Sequence, residues 1–177
     1  MNRRRHGFGL CVSVLLAGAA WAETAQPDPC GGFTWNVAHE QALFAAAATP
    51  GAAASDVSQA PVLQPDHLYE LSLASQEQVH YAVPPARKAL ADGANGGLIR
   101  FRVASAGAYR ISLDLPFWID VVADGKPIAS KDFQGRPGCS APHKIVEFIL
   151  PANQDLVLQF SHGVSSHVRV AITASGQ

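Results

Sequence analysis

The chain has few of the residues that mark redox, metal or nucleic-acid chemistry. It holds three cysteines, Cys11, Cys30 and Cys139, none in a C-x-x-C pair, which argues against a redox-active or metal-binding thiol pair. Its one methionine is Met1. Lys and Arg number 13 against 14 Asp and Glu, and no basic run or stripe follows the N-terminus. The electrostatic footprint of nucleic-acid binding is therefore missing. No later apolar run is long enough for a membrane helix. There is no G-x-S-x-G, and Ser140 has only His143 near it in sequence, so a serine nucleophile is not supported. "GANGG" (93–97) lacks the lysine and the helix start of a phosphate-binding loop. His39-Glu40 begins an H-E-x-x-H helix, but position 43 is leucine. One zinc ligand is missing, so this is an ordinary surface pair.

What is present begins with an address. "MNRRRHGFGLCVSVLLAGAAWAE" combines Arg3, Arg4 and Arg5, an apolar run over 8–20 and the small pair Ala20 and Ala22 around Trp21. This is the pattern of a secretory signal peptide, residues 1–22, with cleavage expected before Glu23. The surroundings of Cys11 do not resemble a lipoprotein box, so no lipid anchor is expected. Removing 22 residues from 177 leaves 155, enough for one domain with a proper core. Loss of the three arginines leaves 10 basic and 14 acidic residues, a formal charge of −4. The expected location is the periplasm or the exterior, with no membrane span after cleavage. In that oxidising setting Cys30 and Cys139 are expected to pair. On the chain-entropy account a loop of that size is worth at most about 4–5 kcal/mol. The segment "KDFQGRPGCSAPHK" (131–144) then becomes a loop whose glycines and prolines bend the backbone around the sulfur, so that the bond clamps the N-terminal segment onto the rest.

Residues 23–66 form an N-terminal segment. An irregular lead-in is followed by a short helix over 37–48 that Asn36 can cap, with Val37, Phe44 and Ala48 on one face. Thr49-Pro50-Gly51 stops the helix, and "GAAASDVSQAPVLQPD" continues as a weakly structured connector. From residue 67 to 177 the period changes to two. Strands are expected at 68–73, 78–83, 98–103, 108–115, 143–150, 155–161 and 166–173, with a loop and a possible helical turn over 86–97. "FWIDVVADGKPIAS" predicts a hairpin turning at Asp124-Gly125. Ile99, Phe101 and Val103 face one way and Arg100 and Arg102 the other. Tyr109, Ile111, Leu113 and Leu115 face inward, and Arg110, Ser112 and Asp114 outward. About eight such strands predict a mainly β chain: a single antiparallel β-sandwich of jelly-roll type, its short N-terminal helix covering an edge or an open end.

Two constellations are candidates for function. Asp114, Trp118 and Asp120 share strand parity across two neighbouring segments, and a tryptophan beside carboxylates on a polar sheet face can stack a sugar ring. The bland alternative is a tryptophan packed under a loop or under the helix. Of the six later histidines (His39, His67, His80, His143, His162 and His167), His143 lies four residues from Glu147 on one strand, and His162 and His167 flank the last turn. These four could in principle supply a two-His, one-carboxylate iron site, or hold zinc, although the spacing lacks the H-x-H of a cupin barrel.

The stretch from "GLIRFRVASAGAYRISLD" through "FWIDVVADGKPIAS" and "HKIVEFILPANQDLVLQFS" to "HVRVAIT" resembles the bacterial pre-peptidase C-terminal type of β-sandwich. It shares a G-x-Y-x-x-x-L strand, a D-G hairpin and a final aliphatic-x-aliphatic strand. That resemblance covers about 80 residues and implies an accessory or binding module with no catalytic residues to carry over. With "FTWNVAHEQALF" and "PFWIDVVADGK", the whole exported chain also resembles a group of small exported bacterial proteins of unassigned role, some of which carry the label homogentisate 1,2-dioxygenase. Enzymes of that name are longer cytoplasmic cupins with a two-His, one-Glu iron site. This chain departs from them in length, compartment and motif, and the resemblance gives it no mechanism. The expectation is a non-enzymatic exported sandwich, without a cofactor, that binds a periplasmic protein or a small ligand, carbohydrate among the options. The alternative is a metal-dependent, dioxygenase-like enzyme using the His/Glu cluster. A third option is a subunit whose exposed sheet edge pairs with a partner.

Overall fold

Side chains that alternate apolar and polar can hide their apolar rows only by laying two pleated faces together. A computed structural model of the chain describes residues 28–87 and 93–176. The expected leader, the start of the lead-in and residues 88–92 lie outside the described residues. The described strands are β1 (Thr49–Ala52), β2 (Val62–Leu63), β3 (Leu68–Ser72), β4 (Ala74–Ser75), β5 (Asn95–Phe101), β6 (Gly107–Leu113), β7 (Trp118–Ala123), β8 (Lys126–Ile128), β9 (Ser130–Gly135), β10 (Lys144–Leu150), β11 (Leu156–Gly163) and β12 (His167–Ala174). They form two six-stranded sheets. The first runs β1-β3-β12-β6-β10-β9; the second runs β2-β5-β11-β7-β8, with β4 against the start of β5. With β1, β2 and β4 set aside and β8 and β9 counted as one strand bent between sheets, eight main strands remain; numbered afresh in chain order they fall in the orders 1-8-3-6 (β3-β12-β6-β10) and 2-7-4-5 (β5-β11-β7-β8). That is jelly-roll connectivity. The main ladders are antiparallel, while β1 on β3 and β2 on β5 are short parallel edge pairings.

The inward rows match the expected alternation. Ile99, Phe101, Val103, Ile111, Leu113, Phe148, Leu158, Phe160 and Val170 are buried in one continuous cluster between the sheets, with Tyr109 and Leu115 packed at its margin. The D-G hairpin is also as expected. Asp124 and Gly125 both have positive φ, 48° and 71°, the geometry a two-residue turn demands when its twist must match the strands.

The outer faces differ from expectation, because both are covered. On the first sheet lies helix α1 (Ala38–Ala45). Phe44 packs against Leu68 and Ala171, and burying such a ring is worth roughly 1.5–3 kcal/mol. Asn36 Oδ1 accepts from the Ala38 N–H, but the helix is shorter than the expected 37–48. Thr49-Pro50-Gly51 is strand, not merely a stop. The connector likewise supplies β2 and a 3-10 turn at Val57–Gln59. On the second sheet, Ala60 and Val79 cover Leu98, with Tyr81 at the side. The expected strand 78–83 is not one. Gln76–Gln78 is a 3-10 turn, and His80 makes only an isolated bridge to Asp56. The Gln159 side chain accepts from Val83 N and donates to Val83 O, so an amide takes the place of a neighbouring strand. Two further corrections concern loops. Asn95–Gly97 extends β5, and Ser130–Gly135, expected as loop, is an edge strand because β10 offers it a free ladder.

Covering the first sheet buries charge. Arg110, expected to face water, lies beneath the Trp35 ring at 4.7 Å, donates to Asn36 O at 2.8 Å and stands between two carboxylates, Glu40 at 3.4 Å and Glu147 at 3.5 Å. Glu40 is 2% exposed and takes a further hydrogen bond from Thr173. It is no surface partner of His39, which instead reaches Asp66. Lys131 and Ser175 donate to Glu147. Burial pushes the Glu147 carboxyl up, but these hydrogen bonds and the charges of Lys131 and Arg110 outweigh it and hold the group below its usual range. The lead-in is further tied by the Cys30–Cys139 disulfide (Cα–Cα 4.9 Å), by Arg136 over the Phe33 ring and by paired Thr34–Gln134 hydrogen bonds.

Candidate functional site: an open corner beside Trp118

The chain changes sheets between β8 and β9, and the wall of the sandwich is incomplete there. β8 is three residues long and pairs only with Val121–Ala123 of β7. Trp118, Ile119 and Asp120 thus have no β8 partner, while β9 has already joined β10 in the opposite sheet. The gap is a cleft of about 440 Å³ that reaches the interior between the sheets, within the size range of small-molecule sites. Ile119, Ile128, Val146 and Phe148 line its depth; Trp118, Asp120, Lys144 and Phe133 stand around it. Phe133 opposes Val146 in register, so it occupies an inward-facing position, yet it is 67% exposed. Among the described residues no opposing layer covers it.

The polar side of the cleft is tightly arranged. Trp118 Nε1 donates to Asp120 Oδ1 at 3.1 Å, and the Ala86 N–H reaches Asp120 Oδ2 at 3.4 Å. Lys144 Nζ donates to Phe117 O at 3.0 Å and lies 5.4 Å from the centre of the Trp118 ring. Burial, and then the charge of Arg87, lower the Lys144 pKa, with Asp120 pulling the other way. Burial and the Asp120 charge together raise that of Tyr81, whose hydroxyl donates to Phe160 O.

Of the sequence candidates, Trp118 and Asp120 meet here and Asp114 does not. The corner at 114–117 carries the chain from the first sheet to the second, so parity along the sequence is not parity on one face. Asp114 instead accepts from the Arg169 N–H at 2.8 Å, and burial raises its pKa against that hydrogen bond. His143, Glu147, His162 and His167 do not converge. Glu147 is engaged by Arg110, Lys131 and Ser175; His162 sits on β11 in the other sheet beside Ser161; His167 is exposed next to Ser166. Among the described residues no group of three His, Cys, Asp or Glu is placed to hold a metal ion. No helix among them is long and apolar enough to cross a membrane.

No protein-family model and no curated protein matches the chain. The site is therefore defined by its own geometry. Sequence reasoning missed Lys144, Phe133 and Ile128. One signal was available: Phe133 is a lone aromatic in an otherwise polar stretch, "SKDFQG".

Proposed function

We propose that this is an exported, non-enzymatic binding module that takes a small, mostly apolar ligand into the corner cleft beside Trp118. One observation carries the reading: Phe133 holds a core-facing position, and among the described residues it is left 67% exposed. An apolar surface left open in a concave, part-polar setting is the usual character of a ligand site. An apolar body suits this lining better than a sugar, since Ile119, Ile128, Val146 and Phe148 line its depth and Phe133 stands exposed beside them. The resemblance to accessory sandwiches of the pre-peptidase C-terminal type agrees with such a role.

A thermal-shift screen of the oxidised protein against small amphiphiles and oligosaccharides tests this. A ligand at about 100 times its Kd is expected to add about 2.7 kcal/mol. The gain should vanish in Phe133→Asp, a change at an exposed side chain that the unliganded fold tolerates. Stabilisation that survives this substitution, or a screen in which nothing stabilises, would remove the cleft from consideration.

A further inference from the structure

The polar side of the cleft has a sign. Lys144 and Asp120 line it with one cation and one anion, and the charge of Arg87 is felt at Lys144. The anion is already spoken for, with Trp118 on one oxygen and the Ala86 amide on the other. Lys144 spends one of its three N–H groups on Phe117 O, and among the described residues the other two have no protein acceptor. A half-buried ammonium that lines an apolar hollow therefore has N–H groups to offer an acceptor bound there. The nearby Asp120 charge also limits what can enter. Two cations against one carboxylate leave a net positive charge, which one negative charge on a ligand balances.

Building on the cleft reading above, we infer that the ligand is an amphiphilic carboxylate, its apolar tail lying between Ile128, Phe148 and Phe133 and its head group accepting hydrogen bonds from Lys144 Nζ. The geometry fits because Lys144 begins β10, the same strand that supplies Val146 and Phe148 to the lining. Successive inward residues of one strand thus set the head and tail of the ligand along a line. Burial disfavours the free ammonium, and an incoming carboxylate relieves that cost.

Calorimetry at neutral pH with three eight-carbon probes, octanoate, octylamine and octanol, separates the possibilities. The expected result is octanoate binding at least tenfold tighter than octanol, with octylamine weakest. Lys144→Met should bring octanoate down to the level of octanol measured on the same variant, and Lys144→Arg should keep most of the preference. Equal binding of octanoate and octanol, or an octanoate preference that survives Lys144→Met, would overturn the carboxylate inference and leave the cleft reading standing. Octylamine as the tightest probe would do the same. If none of the three binds, both fall. The ranking on the unaltered protein decides the matter even where a variant does not fold.

Discussion

At the scale of single residues, Arg110 carries the largest consequence outside the cleft. It sits between Glu40 and Glu147 with all three side chains nearly hidden from water. Removing the guanidinium leaves Glu40 without a counter-charge and Glu147 with Lys131 alone, and losses of about 3–5 kcal/mol follow when one partner of a buried pair is deleted. Arg110→Ala is therefore expected to lower the urea midpoint strongly. Glu147 gives the pH counterpart. Its folded pKa lies below the ordinary value of 4.5, so its stabilising contribution is complete above that value. The contribution is lost as the pH falls through the folded pKa. Unfolding midpoints measured from pH 7 to pH 3 should drop more steeply for the natural chain than for Glu147→Gln. A parallel pair of curves would show that the carboxylate contributes nothing. None of this cluster was visible in the sequence as a cluster. Arg110 alternates correctly for a water-facing side chain, and only the helix laid across it makes the position interior.

At the scale of elements, legibility followed the number of partners an element has. The strands with two-sided ladders, such as 107–113 and 144–150, announced themselves because both their inward rows and their length were fixed by the core. "QVHYAV" alternates equally well but has no strand beside it; its backbone is held by the amide of Gln159. "SKDFQG" has almost no apolar pattern and is a strand only because β10 had an open edge. The cleft was hidden for the same reason, since it depends on β8 stopping after three residues. Two substitutions test element contacts. Phe44→Ala removes the main apolar anchor of α1 and should cost about 3 kcal/mol in denaturant unfolding. Gly163→Ala would bring a methyl within 1.7 Å of the Phe117 ring, so a drop in melting temperature well beyond that of an exposed Gly→Ala change is expected.

At the scale of the whole molecule, the disulfide and the charged cluster act on the same object, the lead-in segment lying over the first sheet. Cys30 and Cys139 are 109 residues apart. Replacing both by serine should cost roughly 2–5 kcal/mol, measured as the difference in unfolding free energy under oxidising conditions. The pairing was legible from cysteine count and expected compartment alone. That it fastens a buried ion cluster in place was not. The ring it closes has a further consequence for handling the molecule. A protease that nicks the backbone once anywhere between those two sulfurs produces fragments that still migrate as one species. They should separate on a denaturing gel only after a thiol is added, and the shift on reduction would reveal scissions that an ordinary non-reducing gel conceals.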